Sequence, residues 1–212
     1  MYVRPYHQET DPGVILDFIR QYPFATLVSQ GAGYPQASHI PLELIEGPSG
    51  SLQLMGHLAN ANPQLITLRD FPTVLAIFLG PNSYISAGWY PVPEVASTWN
   101  YLAVHALGKI TLVDPATTLE HLKRLTHRHE KNREKPMSVD RMGEEYLQKN
   151  LSAITGFRIE VEELENTYKL SQNKDAKTRL QIITELKQSG EPGALKIALE
   201  MARRTTIPEP EK

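Results

Sequence analysis

Five short segments of the sequence carry polar, mostly uncharged side chains at the end of a predicted strand or just beyond it. They are residues 38–42, 56–63, 84–90, 97–101 and 169–173. Amides, hydroxyls, imidazoles and indoles can hydrogen-bond a ligand or pack against its rings. No segment places a nucleophile beside a plausible base, so the pattern predicts a binding site and not a catalytic constellation.

Segment 56–63 has the residues to seat a phosphate. It is predicted to run from a strand through a turn into a helix after Pro63, and a helix start offers unpaired N–H groups and a positive dipole end. Asn60 and Asn62 add side-chain donors, and His57 adds another. The structural alternative is that Asn62 caps the helix while His57 packs inside the sheet. The residues alone leave both interpretations open.

Two further segments suit a ligand or an interface between subunits. Trp99 precedes Asn100 at the start of a predicted strand, and an indole has an apolar body with a polar tip. A role for Trp99 in the core or in a dimer contact is the alternative. Lys169 supplies a cation, followed by three hydrogen-bonding side chains, which are Ser171, Gln172 and Asn173. A segment of this kind standing alone is usually a solvated turn.

Composition narrows the class of protein. The chain has 212 residues, of which 41% are hydrophobic and 22% charged, which predicts one compact domain with a sizeable core. No apolar run approaches the ~20 residues of a membrane helix, and the first residues do not resemble a signal peptide, so we expect a cytoplasmic protein without a membrane partner. The absence of cysteine excludes disulfides, thiolate catalysis and cysteine metal sites, and we predict no metal site.

Nucleic-acid binding has little support in the overall charge. The net charge is −2 and the pI is about 6.4, so contact with DNA would need a local patch. One helix and its exit provide six cations, which are Lys123, Arg124, Arg128, Lys131, Arg133 and Lys135. Three acids partly offset them, and no tight turn leads to a second helix, as a helix-turn-helix requires. Direct DNA binding is therefore possible but weakly supported.

The predicted elements indicate an antiparallel β architecture. About six strands with hairpin-length turns are covered by short helices, without the regular alternation of a doubly wound sheet. Residues 36–44 are predicted to be one strand, and residues 80–82 a turn after a strand at 74–79. Short separate strands are predicted at 157–161 and 168–170. The glycine-rich dinucleotide fingerprint and the P-loop are both missing from the sequence.

Several long motifs in register resemble the PaiB family of FMN-binding negative transcriptional regulators. The motifs are GHLANANPQ, FLGPNSYISAGWY, STWNYLAVHALGKI and KLSQN, supported by the opening MYVRPYHQETD and the helix LKRLTHRHE. The resemblance covers roughly residues 1–175. It implies a mainly β protein with flanking helices (α+β), a split β-barrel of the pyridoxamine-phosphate-oxidase type that binds FMN as a homodimer. Residues 176–212 would then form a C-terminal helical extension and tail.

The resemblance also assigns residues to the flavin, which would lie in a cleft between two subunits. The phosphate end would be formed by His57, Asn60, Asn62 and Pro63. The edge of the ring would meet the backbone of His39 and Ile40. The residues approaching from the partner subunit would be Thr98, Trp99, Asn100, Lys169, Ser171, Gln172 and Asn173.

Three classes of function compete at this point. The first is a flavin-binding regulator, and the second is a flavin-dependent oxidoreductase acting on a small molecule through the same cleft. The third is a haem protein, which the seven histidines suggest. It is weak, because His121, His127 and His129 are predicted to lie on a mostly charged helix face.

Overall fold

The computed structural model describes residues 1–47, 50–91 and 94–205, which form seven β-strands and six α-helices. The strands are β1 (Phe24–Ser29), β2 (Gln36–Pro41), β3 (Glu43–Glu46), β4 (Leu52–Ala59), β5 (Thr73–Ile85), β6 (Thr98–Leu112) and β7 (Ile154–Lys169). The helices are α1 (Pro12–Gln21), α2 (Gln64–Asp70), α3 (Pro115–Glu130), α4 (Glu144–Leu151), α5 (Ala176–Gln188) and α6 (Ala194–Arg203). Within these residues no helix combines the length and apolar character needed to cross a membrane.

All seven strands belong to one sheet, in the order β2-β1-β5-β6-β7-β4-β3. The pairings of β1 with β2 and β5, and of β4 with β3 and β7, are antiparallel. β2 and β3 are the two outermost strands in this order, so each has one long side without a neighbouring strand of the sheet. The predicted class, mainly β with flanking helices, is confirmed.

The chain divides into two compact units. The first unit contains residues 1–18, 79–104 and 165 onwards, and the second contains residues 19–78 and 105–164. Strands β5, β6 and β7 therefore each contribute residues to both units. The prediction of a separate extension from residue 176 stays a prediction, and the predicted tail falls largely on residues 206–212, outside the described part of the chain.

Each unit has its own apolar core. In the second unit, β1 alternates between buried and less buried residues, which is the pattern of a strand with one face in a core. The most deeply buried side chains of the second unit include Leu27, Leu54, Phe78, Phe157 and Ile159. In the first unit α5 packs on α6, and the fully buried side chains include Ile85, Val104, Leu170, Ile182 and Ile197.

The strand predicted over residues 36–44 is in fact two strands, β2 and β3. The chain changes its partner at Leu42, because β2 pairs with β1 while β3 pairs with β4. Leu42 is almost fully buried, and its N–H donates to the carbonyl of Pro23 at 2.9 Å.

The turn predicted at residues 80–82 is also wrong, because β5 continues through it to Ile85. Gly80 serves close packing instead of a turn: a Cβ there would lie 2.6 Å from Cε2 of Phe18. The register of β5 with β1 covers Val74 to Ile77 only, so the missing N–H of Pro81 removes no bond from that ladder. The two short strands predicted at 157–161 and 168–170 are likewise parts of one strand, β7.

Candidate functional site

The thirteen residues predicted to contact a ligand fall into two groups, one in each unit. The second unit holds His39, Ile40, His57, Asn60, Asn62 and Pro63. The first unit holds Thr98, Trp99, Asn100, Lys169, Ser171, Gln172 and Asn173. Whether any of them contacts a ligand stays a prediction, but the surroundings of each show which donors and acceptors are already engaged within the chain.

His39 and Ile40 lie on β2, an outermost strand of the sheet. Both pair with β1 on one side, where His39 faces Thr26 and Ile40 faces Ala25. His39 is exposed, and its Nδ1 lies 3.0 Å from Oγ1 of Thr26. The strand thus has one side without a neighbouring strand, as the predicted backbone contacts with a ring edge require.

Asn60 and Asn62 are engaged in hydrogen bonds of the second unit. The amide nitrogen of Asn60 donates to the carbonyl of Ser152 at 2.8 Å, and its Oδ1 accepts from Oγ1 of Thr155 at 2.7 Å. Asn62 donates to Oγ of Ser38 at 2.9 Å and accepts from the N–H of Gln64 at 2.9 Å. The capping role of Asn62, which the sequence left open, is therefore present.

Pro63 precedes α2 directly, and α2 has only seven residues. The first side chain of this helix, Gln64, is almost fully buried and donates to Oγ of Ser29 at 2.9 Å, while its Oε1 accepts from Ser38 at 2.7 Å. The turn from β4 into α2 is thus held by a polar network of its own. The phosphate role of residues 57–63 stays a prediction.

His57 belongs to a buried polar cluster with His121 and Glu43. The two imidazole rings lie 5.6 Å apart, and Nδ1 of His121 is 2.9 Å from Oε2 of Glu43. Nδ1 of His57 and Nε2 of His121 are buried without a hydrogen-bond partner in the described structure. Burial, followed by the charge of His121, lowers the pKa of His57, so this imidazole is biased toward its neutral form.

His121 corrects one sequence expectation. Its side chain is fully buried, whereas His127 and His129 are exposed, so the three histidines do not share one charged face. The reason is local: a carboxylate on β3 provides the partner that a buried imidazole needs. Burial alone would raise the pKa of Glu43, but hydrogen bonds from His121 and Arg124 outweigh it and leave that pKa below its ordinary value.

In the first unit, four of the predicted residues line one cavity of about 600 Å³. These four are Thr98, Lys169, Ser171 and Asn173. Nζ of Lys169 lies 2.5 Å from Oγ1 of Thr98, and burial, followed by the charge of Arg4, lowers the pKa of this lysine. The cavity is lined by three basic side chains and one acidic one, which are Arg4, Lys169, Lys174 and Glu94. It therefore has the charge to attract an anion.

Ser171 has a strained backbone at the rim of this cavity. Among the described residues it is the one non-glycine residue with a positive φ, at 58°. Its hydroxyl bonds to the amide of Asn100, which is fully buried and also contacts Sδ of Met201 at 3.4 Å. Such strain persists only where the surroundings enforce it, and it concentrates at ligand sites.

Trp99 and Gln172 do not line the cavity, and each has other contacts within the first unit. Trp99 is 53% exposed, and its ring stands edge-on to Tyr84 at 5.9 Å. The Oε1 atom of Gln172 accepts from the N–H of Leu170 at 2.7 Å, and its amide nitrogen donates to the carbonyl of Tyr168. Gln172 thus supports the turn after β7, and Trp99 lies on the surface.

Sequence reasoning did not assign the N-terminal segment to the site. Tyr2, Arg4, Tyr6 and His7 all line the cavity of the first unit. Their only signal was the opening MYVRPYHQETD, which supported the resemblance without a role for any residue. Contact between residues so far apart in the chain leaves no local pattern that a single sequence could reveal.

Half of the cations in the basic patch around α3 are paired with carboxylates of the second unit. Three of its cations have carboxylate partners, Lys123 with Glu120 and Asp140, Arg124 with Glu43, and Arg133 with Glu130. A fourth, Arg128, donates to the carbonyl of Arg20. Paired side chains have fewer free donors for a phosphate backbone, so the patch can make fewer contacts with DNA phosphates than its composition suggests.

Comparison with known proteins identifies the family. A family model described as "Putative FMN-binding domain" matches residues 1–163. The chain belongs to this FMN-binding family. The match covers β1 to β6 and ends before segment 169–173.

Relatives support the same assignment over nearly the whole chain. Protease synthase and sporulation protein PAI 2 of Bacillus subtilis is 34% identical over 198 residues, which cover 93% of this chain and 95% of that protein. An uncharacterized protein of Aspergillus fumigatus is 28% identical over 254 residues, covering 96% of this chain and 97% of its own. The PaiB resemblance and the FMN cofactor are thereby confirmed.

Solved structures confirm the predicted split-barrel fold. An FAD- and haem-binding protein from Mycobacterium smegmatis aligns with a TM-score of 0.56 at 16% identity, covering 87% of this chain and 81% of that chain. The flavocytochrome Anf3 from Azotobacter vinelandii has the same TM-score and identity, covering 79% and 72%. At this identity the similarity concerns the fold alone.

The Glu43 cluster generates a prediction about stability and pH. Glu43→Gln should lower the free energy of unfolding at neutral pH by about 1.5–3 kcal/mol, because charge-assisted hydrogen bonds to His121 and Arg124 are weakened. Since the folded pKa lies below 4.5, the carboxylate stabilises the fold above that pH, and its contribution is lost as the pH falls through the folded pKa. Urea unfolding at several pH values should show the gap between the two proteins closing in acid.

Glu162→Gln is the matched control, since Glu162 forms an exposed ion pair with Lys109. It should change the free energy of unfolding by less than about 1 kcal/mol. An equal pH dependence in wild type and Glu43→Gln would contradict the role given to this cluster.

Proposed function

We propose that the protein binds FMN in the cavity of the first unit, works as a homodimer and acts as a negative transcriptional regulator in the cytoplasm. The observation that carries the cofactor site is the cavity itself. It combines three cations with the Thr98 hydroxyl and the strained Ser171, from two segments that the resemblance assigns to the flavin. FMN carries a phosphate of about −1.5 to −2 charges near neutrality, which such a set of donors can hold.

The rest of the lining also fits this cofactor. Tyr90 and Tyr101 offer aromatic surfaces beside the cations, and the ammonium of Lys174 lies 5.0 Å from the ring centroid of Tyr90. A flavin supplies redox chemistry when bound, while the protein positions it. In this proposal Lys169 and Thr98 bind the cofactor from one subunit. The six predicted residues of the second unit, from His39 to Pro63, would approach it from the partner subunit.

Lys169→Met tests the cofactor site. We expect at least about tenfold weaker FMN binding, because a charge-assisted hydrogen bond contributes about 1.5–3 kcal/mol and 1.4 kcal/mol corresponds to a factor of ten. Flavin fluorescence titration at low and high salt measures it, and the loss should be smaller at high salt. Lys187→Met, an exposed lysine of α5, is the control and should bind like wild type. Equal FMN affinity of Lys169→Met and Lys187→Met would contradict FMN binding in this cavity.

The homodimer is supported by exposed aromatic side chains of the first unit. Trp99 and Tyr84 contact each other at the surface, with 53% and 38% of their area exposed. Large aromatic rings are enriched at interfaces, where an apolar body and a polar tip are both used. A second subunit would cover these rings and supply the other half of the flavin cleft.

Light scattering at micromolar concentration should give roughly twice the chain mass of 23.9 kDa. Trp99→Glu should shift the mass toward the monomer and weaken FMN binding, since it places a charge where apolar surface would be covered. Tyr146→Glu is the control, because Tyr146 is 62% exposed on α4 in the other unit and should leave the dimer intact. A wild-type monomer at this concentration would contradict the dimer.

The regulatory role is supported by the family and by the 34% identity with PAI 2. Four of the six cations around α3 have partners in the described chain, so the proposal does not depend on that patch as a DNA-binding surface. Repression through another contact, or through a protein partner, is compatible with the same fold.

Transcript profiling tests the regulatory role in the organism that carries the gene. Deletion should raise the transcripts of a defined gene set, wild type should restore repression, and Lys169→Met should restore it less if FMN is required. The oxidoreductase alternative predicts a different result. Transcripts would not change, and purified protein loaded with FMN would oxidise NADH or NADPH.

A further inference from the structure

The N-terminal segment forms one wall of the cavity in the first unit, and its position is fixed by hydrogen bonds. The N–H of Glu9 donates to Oδ1 of Asn166 at 2.8 Å, and the amide of Asn166 donates back to the carbonyl of Glu9 at 3.1 Å. A 3-10 turn over Pro5–His7 follows Arg4, with the N–H of His7 donating to the carbonyl of Arg4 at 2.8 Å. The segment therefore holds Arg4 and His7 beside the end of β7, where Lys169 lies.

Arg4 and Lys169 line this cavity without an acidic partner of their own in the described part of the chain. Within the described residues, no carboxylate lies at ion-pair distance from either of them. The guanidinium of Arg4 donates to the hydroxyl of Tyr6 at 2.7 Å, and Lys169 contacts the hydroxyl of Thr98. Both bonds fix the direction of a cation without neutralising its charge.

The cations also disfavour one another's charged forms. The imidazole of His7 is buried, and its pKa is lowered first by that burial and then by the charges of Lys169 and Arg4. The pKa of Lys169 is lowered by burial and by Arg4. Like charges that face one cavity raise the free energy of the folded protein unless an anion occupies the space.

We propose that Arg4, His7 and Lys169 form a binding site for a phosphate-type dianion, in which Arg4 is the specificity-determining contact. A guanidinium binds phosphate oxygens with two parallel hydrogen bonds, whereas an ammonium acts as a point charge. Two cations match the charge of a phosphate monoester more closely than that of a carboxylate. The dianion is the phosphate of FMN or that of a second small molecule. If the dianion is the phosphate of FMN, this inference rests on the proposed flavin site and adds Arg4 to it. If the dianion belongs to a second molecule, the inference does not depend on the flavin site.

The test compares wild type, Arg4→Met, Arg4→Lys and the control Arg203→Met. Arg4 is exposed, so its replacement leaves the core intact, and Arg203 is an exposed arginine of the same unit paired with Glu200. Each protein is titrated with FMN and with riboflavin by fluorescence. Two separate samples, one loaded with riboflavin and one loaded with FMN, are then titrated with inorganic phosphate by calorimetry. Thermal unfolding checks that all variants are folded.

If the dianion is the phosphate of FMN, Arg4→Met should weaken FMN binding about fivefold or more and leave riboflavin unchanged, with Arg4→Lys between the two. If it belongs to a second molecule, FMN affinity stays constant, while inorganic phosphate binds FMN-loaded wild type and Arg203→Met but not Arg4→Met. Two results for Arg4→Met would overturn the site. One is an equal loss of affinity for FMN and riboflavin, and the other is no change in either the flavin titration or the phosphate titration. If wild type binds neither flavin, the proposed function fails, and phosphate titration of the unloaded protein still decides this inference.

Discussion

The turn after β7 depends on a buried amide. Asn100 is fully buried at the start of β6, and its hydrogen bonds with the hydroxyl of Ser171 hold that serine at a φ of 58°. A left-handed backbone costs a residue with a Cβ about 1–2 kcal/mol, so the turn would relax without this bond. With it, the chain reverses directly after Lys169, and Gln172 closes the turn by bonding back to Leu170. The rim of the cavity in the first unit is therefore held by two side chains, Asn100 beneath it and Gln172 within the turn.

Charge is handled differently in the two units. In the second unit the fully buried His121 and two cations of α3, Lys123 and Arg124, meet carboxylates, and Glu43 alone accepts from both His121 and Arg124. In the first unit Arg4 and Lys169 reach hydroxyl groups only. Neutralised clusters stabilise a fold, whereas cations without a counter-ion at a cavity create a potential that draws an anion. The cavity proposed to bind the cofactor is thus lined by cations that have no carboxylate at ion-pair distance among the described residues.

The sequence predicted the class of fold, but not every element within it. Helical structure was expected within residues 176–212, and α6 is found there, with Ile197 and Met201 at helical spacing and buried on one face. The long strands were harder to predict. Gly80 and Pro81 are residue types that suggest a turn, but β5 continues through them. The ring of Phe18 occupies the space that a side chain at position 80 would need. His121 shows the same limit, since only the fold brings the carboxylate of Glu43 to it. Contacts distant in sequence decide these cases, and a single chain carries no local record of them.

The same limit applies to the amides that the sequence offered as ligand contacts. Asn60, Asn62 and Asn100 looked alike in the sequence as polar groups near strand ends, but each uses its side chain to hold its own unit together. One N–H of Asn60 and one of Asn62 are already bonded within the fold, so each amide has fewer donors left for a ligand. Lys169 and Arg4 retain both charge and free N–H groups, because hydroxyl partners satisfy only part of their donor capacity. In this fold the amides shape the turns, and the proposed recognition of an anionic group rests on the cations that those turns present.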